Sequence, residues 1–71
     1  MTRLTLPRHG PTDWTTIATT IARDLGITYD ARHDPIDHTV HVDLSAAPRD
    51  RVREVCGFYL NGHPEIRWSV R

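Results

Sequence analysis

The sequence has no lysine, no glutamine and a single cysteine, and no apolar run in it is long enough to cross a bilayer. Each absence excludes something. One cysteine rules out an intrachain disulfide, and no cysteine–histidine set has the spacing of a structural zinc site. The apolar stretches fall far short of the about 20 residues a membrane helix needs. The opening Met1-Thr2-Arg3-Leu4 lacks the apolar core of a signal peptide. A lone thiol suits a reducing compartment, so the cytoplasm is expected. Without lysine, all nine basic residues are arginines, and nine acidic residues balance them to a formal net charge of zero. Proteins that hold nucleic acid through its phosphates usually carry a basic excess, and that excess is missing.

The 71 residues are enough for one domain, spanning 1–71. A chain of this size buries only about 60% of the surface it exposes when unfolded. Its apolar fraction is 38%. With no disulfide or structural metal, stability has to come from well-fitted packing or from a partner chain, and a homodimer is expected.

Asp37–Leu44 has the clearest period-two pattern. Val40, Val42 and Leu44 would face one way, and Asp37, Thr39, His41 and Asp43 the other. Thr2–Leu6 reads as a second strand, with Leu4 and Leu6 inward, Arg3 and Thr5 outward, and Pro7 ending it. Ile27–Arg32 alternates with Ile27, Tyr29 and Ala31 inward. Glu65–Arg71 does so with Ile66, Trp68 and Val70 inward. Asp34-Pro35-Ile36-Asp37 has the residues of a tight turn and would join two strands into a hairpin.

Two stretches carry helical spacing. Trp14, Ile17, Ala18, Ile21, Ala22 and Leu25 form one stripe, with Thr12 as the expected N-cap and Gly26 as the residue closing the helix. The loop Arg8-His9-Gly10-Pro11 precedes it. Val52, Val55, Cys56, Tyr59 and Leu60 form the other stripe, with Ser45 as the expected N-cap and Asn61-Gly62 closing. Gly57, inside this second helix, is read as a close helix–sheet contact.

The resulting order β-α-β-β-α-β places two crossovers around a hairpin, and it resembles the split-βαβ plan of ferredoxin-like domains. The resemblance implies an α+β two-layer sandwich, a four-stranded antiparallel sheet with two helices on one face. The motifs of several such families are missing. The third strand presents Asp37, Thr39, His41 and Asp43, not the stacking aromatics of an RNA-recognition motif. No Cys-x-x-Cys pair follows the first strand, as a heavy-metal-associated domain would require. The one asparagine, Asn61, falls at a helix end, out of keeping with an acylphosphatase. An amino-acid-binding regulatory domain makes looser demands, and no residue of the sequence excludes it.

In such a fold the open sheet face is polar and mixes arginine with aspartate. Its plain reading is a solvated surface tied by cross-strand ion pairs. Its functional reading is a contact surface made of Arg3, Arg32, Thr39, His41, Asp43, Arg67 and Arg71, with Arg67 and Arg71 as carboxylate- or phosphate-binding forks. The expected function is a small non-enzymatic protein-interaction or regulatory module. It would act on a protein partner or a second copy through that face or through the edge of the last strand. One alternative is nucleic-acid binding by Arg3, Arg32, Arg67 and Arg71. Another is a metal or anion site, or a small enzyme, using His9, His38 or His41. Cys56 lies on the buried stripe and reads as a small core residue. No catalytic residue, metal or cofactor is assigned.

Overall fold

Val40 and Val42 lie opposite Leu6 and Leu4 in the structure, a computed structural model that describes residues 2–10 and 12–71. Pro11, read as part of the first loop, and Met1 lie outside the described residues. The elements in chain order are β1 (Arg3–Pro7), α1 (Trp14–Leu25), β2 (Asp30–Asp34), β3 (Thr39–Asp43), α2 (Arg49–Leu60) and β4 (Ser69–Val70). The four strands form one sheet in the order β2-β3-β1-β4, and every neighbouring pair is antiparallel. β3 therefore sits between β1 and β2, and β1 between β3 and β4. Each β-α-β connection skips one strand.

The inward face carries Leu4, Leu6, Val40, Val42 and Val70. These join Ala18, Ile21 and Ala22 of α1 and Val52, Val55, Cys56 and Leu60 of α2 in one buried cluster. The alternation in β1 and β3 and the stripes of both helices thus meet over one side of the sheet, as their periods require. Leu4 is central: fully buried, it faces Val42 on one side and Val70 on the other.

The element ends differ from expectation for identifiable reasons. α1 opens at Asp13, not Thr12: the Asp13 carboxylate accepts the Thr15 N–H at 3.2 Å, and a charged acceptor caps more strongly than a hydroxyl. Gly26 closes α1 as expected, at φ 71°, with its own N–H on Arg23 and that of Ile27 on Ala22. That closure commits Ile27 to the helix end. Tyr29 likewise turns to α1, its hydroxyl 3.1 Å from Thr19 Oγ1. β2 consequently starts at Asp30, not Ile27, and runs on to Asp34. Ile27, Tyr29 and Ala31 still pack on the core.

The turn shifts with it. Asp34 ends β2, and its Oδ1 accepts the N–H groups of Ile36 (2.9 Å) and Asp37 (3.2 Å). Asp37 and His38 belong to the turn rather than to the strand, and His38 has φ 55°, a left-handed conformation. Ser45 does not cap α2. Pro48 holds that position with no side-chain bond, while Ser45 ties two strand ends together. Its Oγ accepts the Thr2 N–H at 3.1 Å, and its N–H donates to Asp43 Oδ1 at 2.9 Å. β4 is only two residues long, because the preceding chain is spent on turns that join His63 to Leu60 and Ile66 to His63. Gly57 does not mark a close contact: a Cβ there would meet only Asn61 Nδ2, at 3.5 Å.

Two substitutions check this packing by chemical denaturation. Leu4→Ala should lower stability by about 2–5 kcal/mol, the cost of a cavity at the sheet centre. Gly57→Ala should raise it by about 0.5–1 kcal/mol, since it relieves the entropy cost of a helix glycine and meets ordinary contact distances.

Candidate functional site

The outer face of the sheet follows from the register, because residues directly opposite one another share a face. Asp30 is opposite Asp43, and Asp43 is opposite Arg3. Arg3 and Arg71 exchange both backbone hydrogen bonds, at 2.8 and 2.9 Å, so they too are opposite. One rung across the four strands therefore reads Asp30-Asp43-Arg3-Arg71. The next reads Arg32-His41-Thr5-Ser69, and the third Asp34-Thr39-Pro7.

Two shallow depressions lie on this face and share Arg3 and His41. One, of about 450 Å³, is lined by Arg3, Asp30, Ala31, Arg32, His41 and Asp43. The other, of about 190 Å³, is lined by Arg3, Thr5, Asp37, Thr39, His41, Ser69 and Arg71. An apolar cleft of about 150 Å³ lies between the helices, among Thr16, Ile17, Thr20, Tyr59, Leu60 and Ile66.

His41 is held at both ring nitrogens. Nδ1 is 3.1 Å from Thr5 Oγ1, and Nε2 is 3.5 Å from Asp34 Oδ2. The neutral ring that satisfies both carries its proton on Nε2, facing the carboxylate, and accepts the Thr5 hydroxyl at Nδ1. Asp34 itself sits below the usual carboxylate range, held there by the N–H groups of Asp37 and Ile36 and then by His41. Asp43 is lowered as well, by the Ser45 hydroxyl and N–H and, more weakly, by Arg32. Thr39 Oγ1 is buried and makes no hydrogen bond among the described residues.

The cross-strand arginine–aspartate pairs expected on this face do not form. Among the described residues, its one contact within 4.0 Å between a basic side chain and a carboxylate is the His41 ring with Asp34; elsewhere Arg51 pairs with Glu54, and the His63 ring contacts Glu65. Arg3, Arg32 and Arg71 have no carboxylate at that distance among the described residues. The register sets Asp43 directly opposite Arg3, but the Asp43 carboxylate is engaged by the N–H and hydroxyl of Ser45; to either side of that pair, acid lies beside acid on β3 and β2 and base beside base on β1 and β4.

Of the residues singled out in the sequence, Arg3, Arg32, Thr39, His41, Asp43 and Arg71 line the two depressions. Arg67 lines neither and precedes β4. His9 lies in the turn after β1 and His38 in the β2–β3 turn. His33 is drawn to the inward side, its ring edge-on to Trp14 at 5.5 Å. No group of three or more metal-ligating side chains converges among the described residues. Cys56 is buried in the core, and burial pushes its thiol up to about 11, far from a nucleophile's range.

Thr5, Asp30, Asp34, Asp37 and Ser69 also bear on the face or its depressions. Asp34 was placed in a turn from the sequence, although the alternation Asp30-Arg32-Asp34 carried the signal. Comparison with known protein families, curated proteins and solved structures finds no match. No helix of the described residues is long and apolar enough to cross a membrane.

The two lowered carboxyls give a pH dependence. A carboxyl depressed in the folded state stabilises it above the unfolded value and loses that contribution as pH falls through the folded value. Stability measured by urea unfolding should therefore decline below about pH 4. Asp34→Asn and Asp43→Asn should each flatten that decline.

Proposed function

We propose that this chain is a small ferredoxin-like α+β module of the cytoplasm. It acts without catalysis, by holding a partner protein on its open sheet face. The observation that carries this reading is the set of arginines on that face, Arg3, Arg32 and Arg71, which have no intrachain carboxylate within ion-pair distance among the described residues. A face whose charges are satisfied internally offers a partner little. Here the guanidinium forks are free to bind carboxylates, and the aspartates beside them set which partners are repelled.

The interspersed acids also speak against the nucleic-acid alternative. Asp30, Asp34 and Asp43 lie on the same face as the arginines, and Arg67 precedes β4 and lines neither depression. Strand addition at β4 has little support from a two-residue edge. The other edge, β2, is five residues long and alternates Asp30, Arg32 and Asp34, a charge pattern that discourages pairing with arbitrary strands.

The reading is tested by affinity capture with the full chain as bait. Arg3→Ala with Arg71→Ala should abolish capture of species bound by the unaltered chain. Arg49→Ala with Arg53→Ala, on the outer side of α2, should leave it intact. Capture that survives the face variant and fails in the helix variant would move the contact surface to α2.

A further inference from the structure

The first rung of the open face, Asp30-Asp43-Arg3-Arg71, is antisymmetric about its centre: two acids on one half of the sheet and two bases on the other. We propose that the occupant of this face is a second copy of the chain. The copies are related by a two-fold axis that runs parallel to the strands, between the two sheets and over the β3–β1 boundary. This inference rests on the reading of the open face as the contact surface and names its partner.

The rotation places β2 of one copy over β4 of the other, and β3 over β1. Asp30 then faces Arg71 of the second copy, and Asp43 faces Arg3 of the second copy. Symmetry makes each pair twice. In the next rung Arg32 faces Ser69 of the second copy and His41 faces Thr5 of the second copy, so long side chains meet small hydroxyls. Sheets stacked face to face lie about 10 Å apart with strands within about 30° of each other. A long arginine opposite a short aspartate fills that gap.

Two competing arrangements engage these charges less well. A two-fold axis across the strands at the level of Arg32 would lay β2 on β2, with Asp30 over Asp34 and Arg32 over Arg32. Edge-to-edge pairing of β2 centred on Arg32 repeats those like-charge contacts. Moved one residue along, these arrangements pair Asp30 or Asp34 with Arg32 alone; the axis along the strands pairs all four charges of the first rung with opposite charges. A typical interface takes about 800 Å² from each partner, roughly a sixth of the 4740 Å² this small chain exposes. Covering one broad face supplies area on that scale.

Sedimentation velocity of the full chain over a concentration series tests the proposal. The unaltered chain should form a dimer whose dissociation constant rises about tenfold or more between about 0.1 M and about 1 M salt, as screening shortens from about 10 to about 3 Å. Arg71→Asp and Asp30→Arg, each alone, should weaken the dimer by about tenfold or more, because like charges then meet at two places. Combined in one chain, the two substitutions should restore it. Within a chain these positions lie on opposite edges of the sheet, about 14 Å apart at three strand spacings, so the rescue acts only between copies. Neither side chain makes a hydrogen bond within the fold among the described residues, and circular dichroism should show both variants folded. A monomer at every concentration overturns the self-pairing, as does a dimer indifferent to Arg71→Asp or a double variant without rescue. If capture of another protein still depends on Arg3 and Arg71, the open-face reading stands without the self-pairing; if it does not, both fall.

Discussion

Leu4 lies opposite Val42 and Leu6 opposite Val40, and both faces of the molecule depend on that pairing. The β1–β3 ladder occupies the middle of the sheet, with one further strand on each side. Its inward side supplies the centre of the core, and its outward side aligns Arg3 with Asp43 and Thr5 with His41. Because side chains alternate strictly, a slip of one residue in either strand would turn its two buried aliphatics, Leu4 and Leu6 or Val40 and Val42, to water and its polar residues towards the core. The hydrophobic cost of that slip holds the polar face in register, although few polar bonds on the face itself hold it.

Around that ladder, the supports are local and short. α1 carries four threonines, which are poor helix formers, so its stability comes from Ala18, Ile21 and Ala22 packing into the core and from its two ends. Asp13 opens it and Gly26 closes it. α2 lacks a side-chain cap, has an Arg51–Glu54 pair on its surface, and depends on Val52, Val55, Cys56 and Leu60. Ser45 fastens the start of β1 to the end of β3 and keeps Asp43 ionised in the same set of bonds. The residue that closes the sheet is thus also the one that prepares an acid on its open face.

The face gains its chemical character from what its charges do not do. Arginines and aspartates on neighbouring strands, Arg3 and Asp43 above all, could neutralise one another. Among the described residues they do not, and on this face the one basic and acidic side-chain pair within 4.0 Å is His41 and Asp34. Ion pairs exposed to water contribute little to folding, typically less than 1 kcal/mol, so leaving them unmade costs the fold little. It leaves the guanidinium groups available for contacts from which water is excluded, where charge pairing sets partner and orientation.

The sequence by itself determined the elements and the direction each one faces. The period-two runs through Leu4, Val42 and Val70, the helical stripes through Ile21 and Val55, and the stop at Gly26 all act over a few residues, and local sterics with burial suffice to read them. Element ends were less legible, because they depend on competition for hydrogen bonds. Asp13 won the cap from Thr12, the closure at Gly26 drew Ile27 away from β2, and Ser45 went to Thr2 rather than to α2. The candidate face was legible as a list of outward residues, among them Arg3, Arg32, His41, Asp43 and Arg71. Its order was not. Asp30, Asp43, Arg3 and Arg71 are scattered through the chain, and only the tertiary structure, by pairing β2 with β3, β3 with β1 and β1 with β4, set them in one line with the acids on one side and the bases on the other.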